Sequence, residues 1–171
     1  MTCENIEANV LYRLSSREIS YKRLTHAPAV TMELCEGIGS EYNAKHVKNL
    51  FLTNRSGTKF YLLLMSADKE FRTSAVSKAI GVSRLSFASE ESLFSVTGLK
   101  GGAVSVMAVV NPSAKKTIEE GALSIVFDRD VLLRENICVH PNVPTATLVL
   151  KTEDLLRFLE EEGAAYTVID V

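Results

Sequence analysis

Apolar residues recur at every fourth position near the start of the chain. Ile6, Val10 and Leu14 are separated by mainly polar residues, so all three fall on one face of a helix. We therefore predict an amphipathic helix within residues 1–18, as part of an N-terminal helical extension over residues 1–20.

Runs of β-branched, aromatic and other apolar residues predict strands in the rest of the chain. Residues 46–53 and 59–65 form the clearest pair, because the turn-forming sequence Asn-Arg-Ser-Gly at 54–57 lies between them and favours a hairpin. The other predicted strands are residues 20–24, 85–88, 103–110, 123–127, 137–140, 145–150 and 166–169.

Helix signals mark the remaining segments, chiefly a glycine just beyond the last periodic residue. The predicted helices are residues 31–38 before Gly39, residues 74–80 before Gly81, a short helix opened by residues 89–92, and residues 152–162 before Gly163. Helices and hairpins are mixed without regular βαβ alternation. We therefore predict an α/β fold, a single domain over residues 1–171 with a mixed, largely antiparallel sheet flanked by helices.

Composition narrows the class of protein. A chain of 171 residues, 46% of them hydrophobic, fits one compact domain. The net charge of -2 argues against a protein that binds DNA or bulk RNA, which usually carries a basic excess. No apolar run approaches the ~20 residues of a membrane helix, and the first residues lack the apolar core of a signal peptide. These features predict a cytoplasmic protein without a membrane partner.

Several common chemistries have no motif here. The P-loop pattern, HExxH and GxSxG are all absent. Cys3, Cys35 and Cys138 are far apart in sequence, so we expect reduced thiols. The three histidines are also scattered, and we predict neither a metal site nor a cofactor. One alternative stays open: Cys138 and His140 would share a face of a strand, as a catalytic pair or as a half-buried thiol beside a histidine.

Four segments, taken in order, resemble the YbaK/ProX superfamily of aminoacyl-tRNA editing domains, in its prolyl-tRNA synthetase-associated branch. Residues 46–52 (HVKNLFL) are similar to that branch's KNLFL strand, and residues 140–147 (HPNVPTAT) are similar to its HPxxNTAT stretch. The other two segments are residues 25–31 and 84–89. The resemblance covers residues 21–163, nearly the whole chain.

The resemblance implies a trans-editing deacylase that hydrolyses mischarged tRNA(Pro), with alanine as the expected amino acid. Synthetase pockets reject smaller side chains poorly, since each missing methylene contributes only about 1–3 kcal/mol, so a second site removes the errors. Cysteine or serine is an alternative misacylated amino acid, and a non-catalytic regulator that binds tRNA or a synthetase is the rival from another class. The implied partners are the acceptor end of mischarged tRNA and, as a further candidate, prolyl-tRNA synthetase.

The resemblance also implies a set of site residues. Lys48 is the expected catalytic group, because a cation beside the ester would stabilise the negative charge of the tetrahedral intermediate. The expected substrate-binding residues are Thr31, Asn49, Gly101, Gly102, Ala103, Val104, Ser105, His140 and Thr145. Backbone amides of the glycine loop would polarise the ester, and water would attack with help from a ribose hydroxyl of the terminal adenosine.

Two features of the sequence qualify this picture. The glycine loop departs from the family's PGSVTP pattern, because Gly101, Ala103 and Val106 replace a proline, a serine and the second proline, which puts side-chain selectivity in doubt. A local basic cluster is also expected on the hairpin, suited to the phosphates of a tRNA acceptor end. Its members are Lys45, His46, Lys48, Arg55 and Lys59.

Overall fold

The computed structural model describes residues 3–29, 31–35 and 37–171 and contains helices and strands in irregular alternation. The α-helices are α1 (Cys3–Ser15), α2 (Met32–Cys35), α3 (Thr73–Ile80), α4 (Glu90–Thr97), α5 (Pro112–Glu119), α6 (Arg129–Leu132) and α7 (Thr152–Glu161), and Ser40–Tyr42 and Val106–Val110 are 3-10 helices. The strands are β1 (Lys22–Thr25), β2 (Ala44–Asn54), β3 (Phe60–Ser66), β4 (Leu85–Phe87), β5 (Leu123–Asp128), β6 (Asn136–Val139), β7 (Ala146–Lys151) and β8 (Tyr166–Ile169).

The strands form one mixed sheet in the order β1-β7-β6-β2-β3-β5-β8, with β4 paired to β2 outside this path. The ladders β1–β7, β2–β3, β2–β4 and β6–β7 are antiparallel, whereas β2–β6, β3–β5 and β5–β8 are parallel. The predicted α/β fold with a mixed sheet is therefore confirmed, and the predicted hairpin is the β2–β3 pair.

The long strand β2 has an interrupted edge. On one side it pairs with β3 along Val47–Thr53. On the other side β6 pairs only with residues 44–46, and β4 pairs only with residues 52–54. Among the described residues, 47–50 have no strand partner on this edge, and they border the space between β6 and β4.

Side chains of β2 alternate between two cores. Val47 and Phe51 are buried in the larger core, which is covered by α1, α4, α5 and α7. Leu52 lies in the smaller core on the opposite face, beneath α3. Lys48 and Leu50 share this second face but lie only half-buried, at the unpaired stretch of the strand, as the period of two predicts.

The predicted N-terminal helix is present as α1, although Met1 and Thr2 lie outside the described residues. Val10 and Leu14 are fully buried, which confirms the apolar face inferred from their spacing. The helix predicted over residues 31–38 is shorter than expected, because α2 spans Met32–Cys35 and Gly37 and Gly39 adopt left-handed conformations. Glu36 lies outside the described residues.

One predicted strand is wrong. Residues 103–110 are buried, but Val106–Val110 forms a 3-10 helix instead of a strand. The side chain of Ser105 accepts a hydrogen bond from the Met107 amide and so begins this helix. A short apolar run is compatible with either a buried strand or a buried helix, so the sequence pattern could not distinguish the two.

Candidate active site

A cavity opens at the unpaired edge of β2. Its volume is about 170 Å³. It is lined by Ala29, Thr31, Cys35, His46, Val47, Lys48, Asn49, Leu50, Gly102, Val104 and His140. The lining brings together β2, the segment around α2, the glycine loop and the end of β6, which are distant in sequence.

Lys48 is the only lysine or arginine among the residues that line this cavity. Its ammonium group donates a hydrogen bond to the backbone carbonyl of Lys69. The Lys69 side chain is in turn held by ion pairs of 2.8 Å to both Asp128 and Asp130. This arrangement fixes the turn after β3 and anchors the Lys48 ammonium at the rim of the cavity.

Asn49 presents an unsatisfied acceptor. Its amide nitrogen donates to the Val47 carbonyl at 3.3 Å, which fixes the orientation of the side chain. Its Oδ1 atom is buried and has no hydrogen-bond partner among the described residues. A buried polar atom without a partner costs free energy, and the residue that carries it is one of those that line the cavity.

Only part of the glycine loop offers free amides. The Gly101 N–H donates to the carboxylate of Glu90 at 3.0 Å, and the Ala103 N–H donates to the Lys100 carbonyl at 3.1 Å. Gly102, in a left-handed conformation (φ 80°), and Val104 line the cavity. Their N–H groups have no hydrogen-bond acceptor among the described residues, so they are the loop amides that a substrate oxygen could reach.

Four of the predicted substrate-binding residues are not among the described residues that line the cavity: Gly101, Ala103, Ser105 and Thr145. Ser105 is fully buried and donates its hydroxyl to the His140 carbonyl at 2.6 Å. Ala103 is buried, and Thr145 is exposed and accepts from the His26 amide through its carbonyl. Among the lining residues described here, Thr31, Asn49, Gly102, Val104 and His140 are the members of that predicted set, besides Lys48.

The histidines, scattered in sequence, meet in space. The ring centroids of His26 and His46 lie 6.1 and 5.4 Å from that of His140. His140 donates its Nδ1 proton to the Ala146 carbonyl at 2.8 Å, which leaves the unshared pair on Nε2. Burial lowers the pKa of both His140 and His46, the latter to about 4, so both rings are neutral near pH 7.

A hydrogen-bond relay orients His46. His26 contacts the Ala27 carbonyl through Nδ1 at 2.7 Å, so in its neutral form Nε2 accepts the Thr147 hydroxyl proton at 2.9 Å. The Thr147 oxygen then accepts from Nε2 of His46 at 3.3 Å. His26 lies at the outer end of this relay, and Thr147 is a buried part of it.

The cysteine that meets His140 is Cys35, not Cys138. The Cys35 sulfur lies 3.8 Å from Nε2 of His140. Cys138 instead packs in a small core, with its sulfur 3.6 Å from the Ile38 carbonyl oxygen. Burial, together with the nearby Cys35, raises the pKa of Cys138 to about 12, so it stays a protonated thiol and is no nucleophile. No sequence signal near residue 35 indicated the contact.

The five residues of the expected basic cluster do not form one patch. Lys45 lies at the start of the long strand β2 and Arg55 just beyond its end, roughly 30 Å away at the rise of an extended strand. His46 is buried and neutral, and Lys59 donates to the Gly121 carbonyl at the turn. A second cavity, of about 360 Å³, shares Cys35 and His46 with the first and is bordered by Lys45 and Asp68.

Comparison with known proteins places this chain in a family. Residues 26–158 match the family model of the aminoacyl-tRNA editing domain. The chain belongs to this family. Members of the editing-domain family are deacylases, and the substrate class of this chain is therefore aminoacyl-tRNA. The family membership and the deacylase class predicted from the sequence segments are confirmed.

Relatives of this editing domain span its whole length. The chain is 34% identical to the prolyl-tRNA editing protein ProX of Acetoanaerobium sticklandii, over 95% of each chain. It is 24% identical to the prolyl-tRNA synthetase associated domain-containing protein 1 of Bos taurus, over 95% of this chain and 94% of the other.

The fold is also that of solved structures. The hypothetical protein APE2540 has a TM-score of 0.68 at 19% identity, with 94% of this chain and 98% of the other covered. A candidate trans-editing enzyme for prolyl tRNA synthetase has a TM-score of 0.67 at 20% identity, with 99% and 97% covered. Within the described residues, no helix combines the length and apolarity needed to cross a bilayer.

Proposed function

We propose that this editing domain acts in trans on mischarged tRNA(Pro) and hydrolyses the ester of alanine. The observation that carries the proposal is the cavity at the edge of β2, where Lys48, an unsatisfied Asn49 oxygen and the free Gly102 amide lie around one small space. The 34% identity to a prolyl-tRNA editing protein over 95% of each chain supports tRNA(Pro) as the carrier.

The amino acid would enter side chain first. Ala29, Val47, Leu50 and Val104 supply apolar walls, which suit the methyl group of alanine. The described lining residues include no carboxylate, so we expect neutral acceptors, such as the Asn49 side chain, to hold the substrate's ammonium group. A volume of about 170 Å³ leaves little room for a large side chain.

Hydrolysis would proceed by direct attack of water on the ester carbonyl. Attack forms a tetrahedral oxyanion, and its collapse breaks the bond to the ribose oxygen, which leaves with a proton. Lys48 and the amides of Gly102 and Val104 would stabilise the oxyanion. A ribose hydroxyl of the terminal adenosine would assist the water, because Cys138 is buried away from the cavity and the neutral His140 is a weak base.

Serine or cysteine on tRNA(Pro) is the second candidate substrate. The inner end of the cavity is polar, since Cys35, His46 and His140 all line it. The unshared pair on Nε2 of His140 could accept a hydrogen bond from a serine hydroxyl or a cysteine thiol, which alanine cannot donate.

A panel of misacylated tRNAs tests the proposal. The full chain is incubated with labelled Ala-, Ser-, Cys- and Pro-tRNA(Pro) and with Ala-tRNA(Ala), and release is compared with buffer. We expect fast release from Ala-tRNA(Pro) and none above buffer from Pro-tRNA(Pro). Preferred release of serine or cysteine would establish the second candidate, and equal release from Ala-tRNA(Ala) would contradict recognition of tRNA(Pro). Adding prolyl-tRNA synthetase tests whether it delivers the substrate.

A further inference from the structure

The inner end of the cavity carries three potential metal ligands on three separate segments. Cys35 belongs to α2, His46 to β2, and His140 follows β6. One donor atom from each residue lies within 4.8 Å of the other two. All three residues are buried, yet all three line the cavity, so a small ion could reach them from solvent.

The donor atoms are close to the spacing that a metal requires. In a tetrahedral zinc site, bonds of about 2.0 Å to nitrogen and about 2.3 Å to sulfur place the ligand atoms about 3.3–3.6 Å apart. The Cys35 sulfur and Nε2 of His140 already lie 3.8 Å apart. The widest separation, within 4.8 Å, needs to shorten by about 1 Å, which small side-chain rotations can supply.

Outer contacts hold the imidazoles in a ligating state. The Nδ1 proton of His140 is engaged by the Ala146 carbonyl, which directs the unshared pair of Nε2 towards Cys35. The Thr147 hydroxyl occupies Nε2 of His46 and leaves the other nitrogen unprotonated. Backbone carbonyls and hydroxyls that engage the second ring nitrogen are the usual outer shell of metal-binding histidines.

We propose that Cys35, His46 and His140 form a binding site for one borderline divalent cation of the Zn²⁺ class. Among the described residues, the donor set is one sulfur and two imidazole nitrogens without a carboxylate, which favours such cations over Mg²⁺ or Ca²⁺. On binding, the Cys35 thiol loses its proton to solvent and the thiolate coordinates the cation. The fourth position faces the cavity.

A cation at this position would occupy space that the aminoacyl group needs. This consequence, unlike the site itself, rests on the proposed function. Zn²⁺ would then inhibit deacylation reversibly, and a chelator would restore it.

Cobalt substitution tests the site directly and independently of deacylation. The full chain, reduced and freed of metal by a chelator, is titrated with Co²⁺ as the spectroscopic probe. We expect a thiolate-to-cobalt charge-transfer band that saturates at one equivalent and disappears when Zn²⁺ is added. Cys35→Ser should abolish the band, whereas the matched variant Cys138→Ser, which removes another buried thiol, should retain it.

Absence of the band, or an equal band in Cys35→Ser, would overturn the site. If Cys35→Ser fails to fold, Cys35→Ala replaces it in the test, because it removes the sulfur without burying a new hydroxyl. Zn²⁺ affinity is measured separately by calorimetric titration. It should fall at least about tenfold in the Cys35 variant. Zn²⁺ should also inhibit alanine release by the wild-type protein more strongly than release by the Cys35 variant. Each rate is compared with that of the same protein without metal. Equal inhibition of the two proteins would overturn the proposal that the cation blocks the cavity.

Discussion

At the scale of single residues, the surroundings decide which group in the cavity carries charge. His46 and Lys48 are two positions apart on β2, and both line the cavity. Burial, with His140 and His26 nearby, lowers the pKa of His46 to about 4, so it is uncharged near pH 7. Lys48 is half-buried, and its ammonium group is held by a backbone carbonyl. We therefore expect Lys48 to be the side chain that stabilises a developing oxyanion.

Lys48→Ala should lower the single-turnover rate of deacylation by about 10²–10³, the loss typical for one stabiliser of an oxyanion. The fold should persist, because the half-buried side chain makes one charged hydrogen bond to a backbone carbonyl. Losing such a bond costs at most about 1.5–3 kcal/mol, which is less than the stability of a typical domain. Single-turnover release and thermal unfolding are measured on the same protein. Lys151→Ala, an exposed lysine at the far end of β7, is the control and should keep full activity.

Two results would contradict the role of Lys48. Near-normal activity would leave it an ordinary strand lysine. Lost activity with a collapsed unfolding transition would make it structural.

At the scale of elements, the site exists because β2 is longer than its partners on one edge. Ladders with β6 and β4 cover its two ends and leave residues 47–50 facing the cavity. The first turn of the 3-10 helix Val106–Val110 is tied to the segment after β6, which carries His140. Ser105 makes this connection by accepting from the Met107 amide and donating to the His140 carbonyl.

Ser105→Ala should lower the free energy of unfolding by about 1–3 kcal/mol, because it leaves a buried amide and a buried carbonyl without partners. It should also slow deacylation, since the backbone that carries His140 is no longer held. Denaturant unfolding and single-turnover release check both effects. Ser124→Ala, at an exposed position of β5, should change neither. An unchanged unfolding midpoint for Ser105→Ala would contradict this account.

At the scale of the whole molecule, one carboxylate ties the N-terminal helix to the rest of the fold. The Glu162 side chain is fully buried after α7 and forms ion pairs with Arg13, Arg17 and Lys115 at 2.5–2.7 Å. Burial alone would raise its pKa, but the hydrogen bonds from Arg13 and Lys115 prevail and lower it below 4.5.

Glu162→Gln should lower the free energy of unfolding at pH 7 by about 1–3 kcal/mol, because it leaves three cations without their shared partner. A lowered pKa in the folded state stabilises the fold above the unfolded value of 4.5, and this contribution is lost as the pH falls through the folded pKa. The difference between wild type and variant should therefore shrink below about pH 4.5. Denaturant unfolding across pH measures it, with exposed Glu153→Gln as control. A difference that is independent of pH would contradict the assignment.

Charge over the whole surface predicts weak binding of tRNA. The net charge is -2, and the lysines and arginines of the hairpin are spread along β2 and the turn that follows it. If two or three phosphates are contacted, affinity should fall roughly tenfold between about 50 and about 200 mM salt. Binding measured across a salt series checks this, and tight, salt-insensitive binding to arbitrary RNA would contradict it.

The sequence by itself determined the elements whose signal is local. The four-residue spacing of Ile6, Val10 and Leu14 predicted α1, and the turn at 54–57 predicted the β2–β3 hairpin. Ordered segments predicted the family, and with it that Lys48, Asn49 and His140 would lie together, as they do in the cavity. Periodicity and turn chemistry depend on residues that are close together in the chain, so the sequence pattern can predict the helices and hairpins that they specify.

Only the tertiary structure decided what depends on contacts between distant residues. Cys35 and His140 meet across 105 positions, because the segment around α2 packs against the end of β6. The free edge of β2 depends on where β6 and β4 stop pairing. The 3-10 helix at Val106–Val110 forms where Ser105 connects it to His140. Local patterns could not predict these features, because burial and hydrogen-bond partners are fixed only when the whole chain has folded.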